Sequence, residues 1–165
     1  MKMTRRVALL GAVSILGLAV AGRLATRTKP AAADTYAVTH TDAEWQKLLT
    51  PDQYAVLRQA ATEPAGSSPL LNEHRKGVFA CAGCDLALFS SDTKFESGTG
   101  WPSFYKPLDG AVKTEVDNSL FMQRIEVHCM RCGGHLGHLF DDGPQPTGLR
   151  YCMNGLALVF HPTQA

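Results

Sequence analysis

Two short motifs hold four of the five cysteines: "CAGC" carries Cys81 and Cys84, and "CMRC" carries Cys129 and Cys132. If the fold brings the pairs together, four soft thiolate donors make a tetrahedral zinc site. Four thiolates leave no open position for water or substrate, so such a site is structural. Each pair sits in a turn, with Gly83 inside the first and Gly133 and Gly134 following the second. A secreted disulfide framework would use the same residues in an oxidising compartment. A redox CxxC of the thioredoxin type expects a βαβ setting, which is missing here. One structural zinc is the favoured reading of the three.

The fifth cysteine, Cys152 in "GLRYCMNG", stands alone. A lone thiol is either packed as a small hydrophobe or used as a nucleophile, and nearby positive charge or hydrogen bonding favours the reactive thiolate. On an extended strand, Arg150 and Asn154 project to the same side as Cys152 and make a small polar patch. "GGHLGHLFDDGP" adds His135 and His138, whose side-chain type suits proton transfer near neutral pH. They could be metal ligands, but four cysteines already close one tetrahedron. "SGTGWPSF" holds Trp101 between Gly100 and Pro102, where helix and strand are both disfavoured. Its indole is read as a wall for a small apolar group, and Phe104 in the same motif is placed with it as a substrate-binding residue.

These residues need a scaffold. "TDAE" (Thr41 to Glu44) and "TPDQ" (Thr50 to Gln53) both fit the capping box, and Pro51 adds a favoured first-turn proline. The second helix is expected to carry Tyr54, Leu57 and Ala61 on one face and to stop before Pro64. Beyond "EPAGSSP" the texture changes to short β-rich runs separated by turn residues: "GVFA", "LALF", "AVKTEV", "SLFMQRIEVH" and "LALVF". That pattern predicts antiparallel sheet.

At 165 residues and 45% apolar content, the chain suits one domain with a modest core. The formal charge of +1 is unevenly spread: six of sixteen Lys and Arg precede Asp34, while all fifteen Asp and Glu lie from Asp34 onward. The part from Asp34 on therefore carries ten positive against fifteen negative charges, a balance that gives no reason to expect a nucleic-acid partner. Residues 1–33 read as an export signal: a positive start "MKMTRR", an uncharged run from Val7 to Gly22, and small residues at Ala31 to Ala33 suited to cleavage. The Arg pair in "TRRVALLG" is similar to a twin-arginine signal. The expected location is periplasmic or exported, with an uncleaved membrane tether as the alternative. Residues 34–40 read as linker and 41–165 as the functional domain.

The motifs "CAGC", "SGTGWPSF", "MQRIEV", "CMRC" and "HLGHLFDDGPQPTGLRYCMN", in this order and together covering the chain from roughly Gly77 to Phe160, resemble the B-class methionine sulfoxide reductases. The resemblance implies a mainly β fold of two antiparallel sheets with short N-terminal helices. It implies Cys152 as the nucleophile that reduces methionine (R)-sulfoxide in proteins or peptides and becomes a sulfenic acid. Trp101 would pack on the substrate's sulfur-bound methyl, His135, His138 and Asn154 would surround the sulfoxide oxygen, and Arg150 would favour the thiolate. His138 is the expected proton donor. Cys81, Cys84, Cys129 and Cys132 match the family's zinc ligands, and a monomer is expected. Many members carry a second cysteine in the "GWPSF" loop to resolve the sulfenic acid, whereas this chain has Thr99 there and no spare thiol. The reductant is then an external thiol, from a thioredoxin-like protein or a small molecule. A zinc-stabilised binding module without turnover is the competing reading, and it would need neither Cys152 nor Trp101.

Overall fold

The computed structural model describes residues 36–119 and 122–163. The export signal read over 1–33 lies outside the described residues, as do linker positions 34 and 35. Residues 36–40 run against the body: the Val38 N–H donates to the Arg131 carbonyl at 3.0 Å, and His40 meets the Trp45 ring edge-on.

Both capping boxes form. In α1 (Asp42–Leu48) the Thr41 hydroxyl accepts from the Glu44 N–H while the Glu44 carboxylate accepts from the Thr41 N–H. In α2 (Pro51–Gln59) Thr50 and Gln53 do the same. Each cap is worth about 1 kcal/mol, useful for helices too short to be stable alone. Ala60 turns left-handed at φ 54° and ends α2 early, so Ala61 lies beyond the helix. The buried face is Val56 with Leu57, Tyr54 being half-buried beside them.

Among the described residues nine strands follow, all paired antiparallel. β1 (Gly77–Cys81), β2 (Ala87–Ser90) and β9 (Leu158–Pro162) form a three-stranded sheet in the order β2-β1-β9. β3 (Lys94–Phe95), β4 (Ser103–Phe104), β5 (Val112–Asp117), β6 (Arg124–Cys129), β7 (His135–Phe140) and β8 (Arg150–Met153) form a second sheet, ordered β3-β4-β8-β7-β6-β5. The five β-rich runs of the sequence become β1, β2, β5, β6 and β9, although Ser119, Met122 and Gln123 of the fourth run precede β6. β3, β4 and β7 carry glycine, charge or too few residues to show the alternation.

The sheets meet over an aromatic core. Phe104 is fully buried, stacked on Phe89 at 4.4 Å and edge-on to Phe79 at 4.9 Å. This corrects its reading as a substrate-binding residue. Ser103 lies opposite Cys152 and Phe104 opposite Tyr151. Side chains alternate along a strand, so Phe104 and Tyr151 turn into the aromatic core while Ser103 and Cys152 face the opposite side of the sheet.

The CxxC turns sit at the ends of β1 and β6, one on each sheet. Arg131 Nη1 donates to the Cys84 carbonyl at 3.0 Å and Arg58 Nη1 to the Cys132 carbonyl at 3.1 Å, tying the turns together and to α2.

Candidate active site

β7 and β8 supply the centre of the site. A β-bulge falls where Val127 pairs Gly137 and His128 pairs His135, leaving Leu136 as the extra residue. The bulge shifts the alternation, so His135 and His138, three apart, share a face with ring centroids 5.5 Å apart. His138 lies directly opposite Cys152 across the β7–β8 ladder. Gly137 makes that approach possible, because a Cβ there would stand 2.1 Å from the Cys152 carbonyl oxygen.

Cys152 opens into a cavity of about 140 Å³ lined by Thr62, Trp101, Arg124, Gly137, His138, Phe140, Cys152 and Asn154. The volume is far below the several hundred Å³ of a whole-ligand pocket and suits the end of one side chain. A larger groove of about 710 Å³ between α2, the 61–70 segment and β9 is lined by no thiol and no imidazole.

The polar groups around the cavity are held in place. His138 Nε2 pairs with Asp117 Oδ2 at 2.9 Å. An ionised carboxylate only accepts, so the pairing puts a hydrogen on Nε2. Asp117 also accepts from Arg124 Nη2 at 2.6 Å and from the Ser119 N–H at 2.8 Å. Its carboxyl is held well below the usual carboxylate range, first by Ser119 and then by His138 and Arg124. His135 sits deeper, 3% exposed, with Nδ1 against Glu126 Oε1 at 2.5 Å. Burial pushes its proton affinity down, with Glu126 acting in the opposite direction. It stands behind His138 and does not line the cavity.

Arg150 lies on the Cys152 side of β8, nearly buried, over the face of Phe140 at 4.3 Å. Its Nε and Nη2 donate to Asp142 at 2.7 and 2.8 Å. The guanidinium is raised in proton affinity first by Asp142 and in smaller part by the neighbouring Cys152 sulfur. Asn154 lines the cavity with its amide engaged by backbone: Oδ1 accepts from the Glu63 N–H at 3.0 Å and Nδ2 donates to the Leu136 carbonyl at 3.2 Å. Glu63 is buried, its carboxylate accepting from the Gly155 and Leu156 N–H groups at 2.5 and 3.0 Å. The Glu63 carbonyl accepts from Trp101 Nε1 at 3.0 Å. The 62–63 segment therefore fixes both the indole wall and the turn after Cys152.

The structure thus brings Cys152, His138, Asn154 and Trp101 to one cavity, with Arg150 beside the sulfur and His135 one layer back. Sequence reasoning assigned no role to Asp117, Arg124, Phe140, Thr62, Glu63, Glu126 or Asp142. Arg124 and Glu126 lie in "MQRIEV", and Phe140 and Asp142 in "HLGHLFDDGP", so their motifs were visible though their functions were not. Asp117 ends a strand next to a turn, where an Asp is ordinary, and carries no signal.

The four paired cysteines converge at the C-terminal ends of β1 and β6. Cys81 and Cys132 sulfurs are 3.7 Å apart, Cys84 and Cys129 sulfurs 3.5 Å, and all four lie within 4.8 Å of one another. Disulfide sulfurs would stand about 2.05 Å apart, and all five cysteines are free thiols. A tetrahedron of sulfurs with metal bonds of about 2.3 Å has edges of roughly 3.8 Å, so the four residues could hold one metal ion. Hydrogen bonds among them push the Cys132 thiol up while holding Cys129 down. A cation relieves that competition for protons.

Fold and site together set a lone thiol in a side-chain-sized cavity, apart from a four-cysteine cluster that could hold a metal ion. The chain belongs to the SelR domain family, which matches residues 49–162. It is 55% identical over 126 residues to a peptide methionine sulfoxide reductase MsrB of Leptospira interrogans, covering 76% of this chain and 96% of that one. A Methanosarcina barkeri protein of the same name is 58% identical over 75% of this chain and 88% of its own. A chloroplastic peptide methionine sulfoxide reductase B1 of Oryza sativa is 51% identical over 78% of this chain and 61% of its own.

Proposed function

We infer that this protein is a peptide-methionine (R)-S-oxide reductase that returns oxidised methionine in proteins or peptides to methionine at the expense of an external thiol. The observation that carries this reading is the side-chain-sized cavity where Cys152 meets His138 across the ladder and Trp101 forms a wall. The relatives' shared activity agrees with it.

The chemistry follows from the placement. The Cys152 thiolate attacks the sulfoxide sulfur, and its oxygen takes a proton from His138, oriented by Asp117. Oxygen moves to Cys152, which becomes a sulfenic acid, and methionine leaves. One external thiol then displaces the oxygen as water, forming a mixed disulfide. A second thiol releases Cys152. Trp101 and Phe140 offer apolar surface to the sulfur-bound methyl. Arg150 supplies the positive charge that favours the thiolate.

One zinc ion held by Cys81, Cys84, Cys129 and Cys132 is the metal that four thiolates at this spacing suit best. It would join the two sheets and take no part at Cys152. Metal analysis should give one zinc per chain. The Arg pair in "TRRVALLG" and the apolar run after it support export toward the periplasm. That route carries folded chains and would let the thiols take up zinc before meeting an oxidising compartment.

Resolved R and S epimers of a methionine sulfoxide peptide, assayed with dithiothreitol, test the reading. Only the R epimer should turn over, and Cys152→Ser should abolish it while leaving the fold intact. Equal use of both epimers, or none of either, contradicts it.

A further inference from the structure

We propose that Thr99 is a catalytic residue whose hydroxyl, at the end of a three-hydroxyl chain through Ser97 and Ser103, donates a hydrogen bond to the Cys152 sulfur when it ionises. The proposal rests on the assignment of Cys152 as nucleophile and adds a group that touches the reacting atom.

Thr99 Oγ1 lies 3.8 Å from Cys152 Sγ, within hydrogen-bonding reach for sulfur. Behind it, Ser97 Oγ is 2.8 Å from Thr99 Oγ1 and 2.7 Å from Ser103 Oγ. Ser103 is 1% exposed and its hydroxyl donates to the Trp101 carbonyl at 3.1 Å. A hydroxyl has one hydrogen to give and two lone pairs to accept with, so this chain has one polarity at a time. With Ser103 donating to Trp101, Ser97 donates to Ser103 and Thr99 to Ser97. Thr99 is then an acceptor toward the Cys152 S–H.

When sulfur gives its proton to solvent, the three hydroxyls can rotate together. Ser103 then donates to Ser97, Ser97 to Thr99, and Thr99 to the sulfur anion. No covalent bond changes, and only the weak 3.1 Å bond to the Trp101 carbonyl is given up. Hydrogen bonds to an ionised partner are roughly twice as strong as neutral ones, so the reversed chain favours the thiolate. A hydroxyl at this position thus serves the first half of the reaction in a chain with no thiol there to serve the second.

The other charged groups approach Cys152 from elsewhere. Arg150 comes from its own strand, paired with Asp142. His138 comes from β7, with Asp117 and Arg124 behind it and His135 and Glu126 one layer further. The Glu63 carboxylate is turned onto the Gly155 and Leu156 N–H groups. The 97–103 segment contributes no charge, only hydroxyls and the indole.

The experiment is the pH dependence of Cys152 alkylation by iodoacetamide in the metal-loaded full chain, followed by mass spectrometry of the tryptic peptide that begins at Tyr151. Thr99→Val, which keeps the shape and removes the hydroxyl, should slow alkylation at pH 7 about tenfold and move the midpoint of the profile up by about one pH unit. Thr99→Ser should stay within about twofold of the unaltered protein. Thr99→Ala should repeat the valine result and serves if the valine variant does not fold. A profile unchanged in both hydroxyl-free variants would overturn the proposal. The readout needs no sulfoxide, so a negative result leaves the reductase reading standing, and failure of the epimer assay leaves this result standing.

Discussion

Thr99→Cys should turn this chain into an enzyme that resolves its own sulfenic acid. The Thr99 hydroxyl oxygen stands 3.8 Å from the Cys152 sulfur, so a thiol in the same rotamer would need to close by less than 2 Å to reach the bonding distance of about 2.05 Å. Gly98 and Gly100 flank the position at φ 72° and 93°, and the Gly66 N–H holds the Gly100 carbonyl at 2.8 Å, so the loop is tethered close to Cys152. After one turnover the introduced thiol attacks the sulfenic sulfur, water leaves, and a disulfide closes across a separation of 53 residues. Loop closure of that length is worth about 4 kcal/mol against the unfolded chain. The assay is the intact mass after a single turnover without reductant, followed by thermal unfolding with and without dithiothreitol. The variant should lose the added oxygen, gain one disulfide and unfold at a higher temperature until reduced. It should also depend more strongly on a thioredoxin-like donor. A variant that keeps its oxygen on Cys152 beside a free introduced thiol would refute the geometric reasoning.

Glu63→Ala should destabilise the protein by about 1–3 kcal/mol for each of the two backbone N–H groups left without an acceptor, Gly155 and Leu156, as read by chemical denaturation. Phe104→Ala should lower stability by about 3–5 kcal/mol while any folded fraction keeps its ordinary substrate selection, since the ring packs on Phe89 and Phe79 and not on the cavity. Acid should also weaken the fold through His135, whose folded-state proton affinity is lowered by burial. Below its ordinary value of about 6.5 the unfolded chain takes up a proton that the folded chain refuses, so stability rises with pH across that window. His135's contribution is complete above about pH 6.5 and is lost as pH falls toward the lower folded value. Denaturation midpoints between pH 7.5 and 5.5 should show the decline, and His135→Gln should flatten it.

Much of this architecture was legible because its signals are local. Two capping boxes announce α1 and α2, and alternating runs announce five strands. Arg150 and Cys152 share a face of β8 simply by spacing, with Asn154 just past its end. The bulge at Leu136 was not legible, because it depends on how β7 registers against β6 and "HLGH" alone shows only two histidines three apart. Phe104 was misplaced for a related reason. Its motif lies beside the cavity, but the parity that sends Phe104 into the core and Ser103 to the opposite side of the sheet is set by pairing with β8. Asp117 orients His138 across 21 positions of sequence, a juxtaposition fixed by two hairpins and invisible in composition. Ala61 shows the reverse case, where a left-handed Ala60 ended a helix that periodicity would have extended.

The central claim, that Cys152 takes the oxygen and has no thiol of its own to pass it to, is tested most directly by the mass of the unaltered protein after one turnover on a methionine (R)-sulfoxide peptide without reductant. The account predicts one added oxygen, located on the peptide carrying Cys152, and no disulfide. An unchanged mass despite product formation, or a disulfide from Cys152 to any of the four clustered cysteines, would contradict it.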